Sequence, residues 1–167
     1  EPAPLSIYGM SKLAGEHAVH AAYAFALIVR TAWVFGEGGA NFPTKILDLA
    51  EHMPVIKVVT DEIGSPTYTI DLAEGIVGLV QAQAHGLYHL AGAGSCSRFE
   101  LAQAVLELAG SDATVEPVVA AEFPTRAARP ANSVLDCAKA AALGVRMPPW
   151  RDALARFIAG RTGQAVS

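Results

Sequence analysis

Across residues 6–23 the apolar positions Met10, Leu13, Ala14, Ala18, Ala21 and Ala22 recur at helical spacing with few β-branched neighbours, which predicts an α-helix. Its small residues, Ala14, Gly15 and Ala18, suit close packing against a sheet. Residues 26–29 form a short continuous apolar run, the mark of a strand buried on both faces in a parallel sheet. The carboxyl end of that strand delivers Arg30 to Trp33, and ligands of open α/β sheets gather beyond such ends. Farther along, Asn41 can cap and Pro43 can open a helix reaching about Glu51, followed by a strand over 56–59 and a turn at Gly64-Ser65-Pro66. A helix opening at Thr69 or Asp71 runs to about Gln83, and 86–90 reads as a strand. Ser97-Arg98-Phe99-Glu100 is a capping box for a helix that stops at Gly110. A strand over 114–119, an irregular segment through Pro130, and helices near 136–142 and 149–159 complete the chain, with fraying expected in 160–167.

The first helix carries the candidate chemistry. Tyr8 and Lys12 are four residues apart and therefore share one helix face, about one turn apart. An ammonium in that position stabilises a phenolate, and a phenol so placed can exchange a proton with a carbonyl or alcohol oxygen near neutral pH. The bland alternative is a tyrosine packed at a helix start beside a solvated lysine.

The surrounding motifs narrow this reading. Tyr8-Gly9-Met10-Ser11-Lys12-Leu13-Ala14-Gly15-Glu16, followed by Ile28-Val29-Arg30-Thr31-Ala32-Trp33-Val34-Phe35-Gly36, resembles the middle of an extended short-chain dehydrogenase/reductase, and more narrowly the dTDP-4-dehydrorhamnose reductase family. Three later blocks keep that family's order: Gly39-Ala40-Asn41-Phe42, then Val59-Thr60-Asp61-Glu62-Ile63-Gly64-Ser65-Pro66-Thr67, then Ala128-Arg129-Pro130-Ala131-Asn132-Ser133-Val134-Leu135-Asp136. One residue departs from the pattern: Glu62 stands where Gln is usual, keeping size and adding charge. The resemblance implies an α/β fold, the C-terminal part of a doubly wound, Rossmann-like parallel sheet plus a small α/β sugar-nucleotide-binding domain. Residues 1–36 would end the dinucleotide-binding domain and 37–167 would form mainly the substrate domain, with about 60–90 returning to the first.

The implied activity is NADPH- or NADH-dependent reduction of the 4-keto group of a dTDP-linked 4-keto-6-deoxyhexose to dTDP-L-rhamnose. Tyr8 would then donate the proton, and Lys12 would support it and bind the nicotinamide ribose. Trp33 would cover the sugar, with a core tryptophan as the alternative. Asn41 and Phe42 would meet the nucleotide diphosphate, with simple helix capping by Asn41 as the alternative. Arg129 would grip a phosphate, with a surface ion pair as the alternative, and Arg30 would act structurally at the strand end. Two other relatives compete: a non-catalytic binding homologue such as a methionine adenosyltransferase regulatory subunit, and an epimerase or dehydratase of sugar nucleotides. The latter usually carries Asn-x-Tyr-Gly-Pro where this chain has Thr31-Ala32-Trp33-Val34-Phe35-Gly36. No glycine-rich dinucleotide turn follows a strand here, and Gly36-Glu37-Gly38-Gly39 reads as a flexible loop. The chain is therefore expected to be the C-terminal portion of a longer reductase, to expose an apolar edge, and to bind dinucleotide poorly alone.

Composition adds exclusions. With 52% apolar residues in 167, the chain can bury a sizeable core. A net charge of −4 argues against a general nucleic-acid or anionic-membrane surface. No apolar run reaches the ~18–20 residues of a membrane span. Two cysteines, Cys96 and Cys137, make no framework, and a reducing cytoplasm is the simpler expectation. The five histidines show no zinc spacing, so no metal ligand is assigned; magnesium enters from the resemblance alone, as does a homodimer.

Overall fold

The computed structural model describes residues 2–122 and 130–162. Helix α1 (Ile7–Ala22) begins where Ser6, in extended backbone, accepts the Gly9 N–H at 3.1 Å. Strands β1 (Leu27–Arg30) and β2 (Val34–Phe35) follow, then helix α2 (Phe42–Ala50), strands β3 (Val55–Val59), β4 (Ile63–Gly64) and β5 (Thr67–Tyr68), and helix α3 (Thr69–Gln81). The chain continues through β6 (Gly86–His89), β7 (Cys96–Ser97), α4 (Arg98–Ala109), β8 (Thr114–Val118), a 3₁₀ turn (Ala120–Glu122), α5 (Ala138–Ala141) and α6 (Trp150–Thr162).

Pairing is parallel between β1 and β6, β2 and β5, and β3 and β8, and antiparallel between β4 and β7. Parallel partners are separated in sequence by helices, which is the crossover logic of an α/β fold. The larger apolar cluster gathers Phe35, Ile46, Ile56, Leu101, Val105, Leu154 and Phe157 from the strands and helices around β3 and β8. A second gathers Leu79, Tyr88, Leu90 and Ala140, with Leu27 and Val29 packed on it. Between α3 and α6, Arg156 donates to both carboxylate oxygens of Asp71 at 2.8 and 2.7 Å.

Helix ends follow local chemistry. Asn41 and Thr44 cap α2 reciprocally, and Ser97 and Glu100 do the same for α4, whose C-cap Gly110 takes the left-handed backbone with φ 65°. The Ser97 backbone N–H and then its hydroxyl hold the Glu100 carboxyl below the ordinary carboxylate range. Helix α3 starts at Thr69 with no side-chain cap.

Three expectations need correction. Residues 27–30 are half-buried rather than buried on both faces; the edge of β1 away from β6 pairs with no other described strand, the open apolar edge that the sequence leads one to expect. Helix α1 likewise buries none of its residues, and leaves Ile7 and Met10 exposed. The glycine loop after β2 is pinned rather than free: Asn41 Nδ2 donates to the Gly36 and Gly39 carbonyls, and Glu37 accepts the Tyr68 hydroxyl at 2.7 Å.

Candidate functional site

On α1, the Lys12 ammonium lies 5.2 Å from the centroid of the Tyr8 ring, so the helical spacing brings the two groups onto one face as expected. Both line an open cleft of about 580 Å³ whose other walls include residues 2–4, Leu13, Glu16, the end of β1 at Val29, Arg30 and Thr31, and Leu135. The cleft thus lies beyond the carboxyl end of a parallel strand, where open α/β sheets place ligands. Tyr8 is well exposed, free to meet a ligand entering from solvent.

Glu16 extends the same face by another turn. Arg30 Nε donates to its Oε1 at 2.7 Å and Arg30 Nη2 to its Oε2 at 2.6 Å, a bidentate clamp that ties α1 to the end of β1. Arg30 therefore has the structural role expected of it. Its guanidinium holds the Glu16 carboxyl below the ordinary carboxylate range. Because Glu16 titrates lower in the folded chain than in the unfolded one, the clamp contributes fully above the unfolded value and is lost as pH falls through the folded value. Glu16→Gln is expected to cost about 1–2 kcal/mol at neutral pH and to flatten the acid limb of stability. Urea unfolding at neutral and acidic pH measures this; acid limbs that run parallel in wild type and variant would refute it.

Trp33 lies two residues beyond Thr31. It is half-buried, with φ 48°, and its carbonyl accepts the Thr67 N–H that opens β5. The indole rests on Gly64, where an added Cβ would fall 2.2 Å from Cε2, so only glycine fits beneath the ring. Arg98 lies over the same ring with its guanidinium carbon 3.6 Å from the centroid, and 4.9 Å from the centroid of Phe42. Trp33 and Phe42 are thus brought together, with Arg98 over both. Asn41 stands beside them, with its Oδ1 accepting the Thr44 N–H and its Nδ2 donating to the glycine loop, so its amide organises the loop and caps α2. Arg129 lies outside the described residues.

The segment after it converges on the same place. Ile63 N–H donates to the Ala131 carbonyl, and the Ser133 N–H and hydroxyl return to the Ile63 carbonyl. The motifs around 62–67 and 131–136 therefore pair with each other, and Leu135 continues from that pairing into the Tyr8 cleft.

Two side chains at these contacts, Arg98 and Glu16, are not among the residues that the motifs mark as a site. Arg98 stood inside a capping box and drew attention only as helix punctuation, although the charged Glu62 in a motif that usually has Gln signalled a cationic partner. Glu16 carried a signal as well, since positions 8, 12 and 16 share a face. Among the described residues, no group of three or more His, Cys, Asp or Glu could hold a metal ion, so magnesium has no ligand set there. No described helix is long and apolar enough to cross a membrane.

Comparison with known proteins finds close relatives along nearly the whole chain. The chain is 40% identical over 159 residues to the spore coat polysaccharide biosynthesis protein SpsK of Bacillus subtilis, covering 95% of this chain and 56% of that protein. It is 44% identical over 163 residues to a dTDP-4-dehydrorhamnose reductase of Mycobacterium tuberculosis, covering 95% of this chain and 54% of the reductase. The crystal structure of dTDP-4-dehydrorhamnose reductase from Bacillus anthracis in complex with NADP matches at TM-score 0.90 and 39% identity, over 96% of this chain and 57% of that one. The chain thus spans little more than half the length of these relatives. Residues 1–162 match the family described as the RmlD substrate binding domain, and this chain, with its helix-borne tyrosine and lysine beside a strand-end cleft, belongs to that family.

Proposed function

We propose that these residues supply the proton-donating helix and the sugar-nucleotide site of an NAD(P)H-dependent reductase that converts dTDP-4-dehydro-L-rhamnose to dTDP-L-rhamnose. The observation that carries the proposal is the placement of Tyr8 and Lys12 together in a cleft beyond the end of β1. The cleft residues fit a nicotinamide riboside, with an ammonium for the ribose hydroxyls and apolar Val29, Leu13 and Leu135 for a ring. The dinucleotide supplies hydride when bound.

This chain's residues do the rest. As the sugar C4 carbonyl is reduced, its oxygen gains charge, and the Tyr8 phenol transfers its proton to that oxygen. Lys12 stabilises the phenolate left behind. Trp33 contributes a wall of the sugar site, and Phe42 stands at the start of α2, whose positive dipole end favours an approaching diphosphate. We assign Arg129 to the same phosphates on its motif alone. The reading divides the chain near residue 36, with 60–90 returning in part to the dinucleotide side; the pairing of β6 with β1 and the separate cluster at Leu79 and Leu90 support that division. It also places the reaction in a reducing cytoplasm, in keeping with the free thiols of Cys96 and Cys137.

The test is NADPH consumption by the intact reductase containing this chain, with the dTDP-linked 4-keto sugar as substrate. Turnover is expected. A protein that binds NADPH and the sugar nucleotide yet oxidises no NADPH would reduce the site to a binding role.

A further inference from the structure

Arg98 opens α4, and the antiparallel pairing of β4 with β7 sets it beside Glu62: Ile63 registers with Ser97, and the Arg98 N–H donates to the Glu62 carbonyl at 3.1 Å. The side chains meet as well, with Arg98 Nε 3.6 Å from Glu62 Oε2. Both are deeply set, 16% and 14% exposed. A guanidinium is planar and weakly hydrated, which suits it to lie flat on an aromatic ring at such depth.

The indole of Trp33 therefore has Gly64 beneath it and Arg98 above it. Both lie so close to the ring that they must occupy opposite faces. A sugar then meets the indole at its edge rather than its flat face. The charge at Glu62 also gains a reason, since a carboxylate there anchors the cation that covers the ring.

We propose that Arg98 is a positioning residue for the sugar nucleotide: clamped over Trp33 and Phe42 and held by Glu62, it fixes the indole so that its edge forms a wall of the substrate site. The proposal rests on the reading of Trp33 as part of the sugar site. Losing the clamp weakens substrate binding and leaves the proton-transfer machinery on α1 untouched.

Steady-state kinetics of the intact reductase containing this chain test it, using Arg98→Met, which keeps bulk over the rings, and Arg98→Lys, which keeps charge. With Arg98→Met, KM for the dTDP-linked keto sugar is expected to rise about tenfold while kcat and the KM for NADPH change less than about twofold. Arg98→Lys should fall between. In the ligand-free protein, the indole N–H resonance of Trp33 should shift or broaden with Arg98→Met while that of Trp150 stays in place. An unchanged sugar KM would overturn the proposal, as would a raised KM with an unmoved Trp33 resonance, which would mean that Arg98 touches the substrate itself. Trp33→Ala separates the two levels: if it leaves KM unchanged, the reading of Trp33 fails; if it raises KM while Arg98→Met does not, only the clamp fails.

Discussion

Tyr8→Phe is expected to lower kcat of the intact reductase by about a thousandfold, with sugar and NADPH KM values changed less than about threefold. The phenol oxygen is the one atom removed. Tyr8 is 71% exposed, so the variant loses little packing, and stability should stay within about 0.5 kcal/mol of wild type. Its backbone carbonyl still accepts the Ser11 hydroxyl, so the first turn of α1 is undisturbed. The rate loss is then a statement about the proton. Lys12→Met should behave differently, raising the KM for NADPH as well as lowering kcat, because in the proposed mechanism the ammonium serves both the phenolate and the ribose. A Tyr8→Phe enzyme within tenfold of wild type would remove Tyr8 as the donor, and with it the mechanism.

Where a feature is set by a few neighbouring residues, it was legible before any coordinates. Asn41 with Pro43, Ser97 with Glu100, and Gly110 each mark a helix end through hydrogen bonds or backbone freedom within one turn, and each mark falls where the helix turns out to begin or end. Tyr8 and Lys12 were legible for the same reason, since four residues of helix fix their relation. Strands β2, β4, β5 and β7 were not. Each is two residues long, which is too short for alternation to register, and each exists only because a distant segment pairs with it. That is why Arg98 shows in the sequence only as the residue after the Ser97 cap: its side chain's destination depends on β4 meeting β7, and the sequence around Ser97 carries no trace of Gly64. The open edge of β1 was expected from the sequence, whereas the exposure of α1 was not. Apolar runs report that a surface needs cover, and they do not report which polypeptide provides it.

The largest stability effect should come from a pair that does not touch the cleft. Asp71 is 5% exposed and accepts both of its hydrogen bonds from Arg156, which also reaches Asp152 at 3.3 Å and lies 5.5 Å from the Tyr68 ring centroid. Around it, Tyr68 is pushed up to about 12 by burial first and then by its bond to Glu37. The pair joins α3, which packs on the Leu79 cluster, to α6, which belongs to the Phe157 cluster, so it bridges the two apolar centres. Arg156→Leu removes the cation and leaves a carboxylate with almost no water, at an expected cost of about 3 kcal/mol. Asp71→Leu should cost less, because the stranded guanidinium is about one-third exposed and keeps Asp152. The double variant should be more stable than Arg156→Leu alone, since burying two apolar groups is cheaper than burying one unpaired charge. Urea unfolding of the four proteins gives the cycle. If the double variant were the least stable of the four, the pair would be a source of favourable energy in its own right, and the argument from desolvation would be wrong.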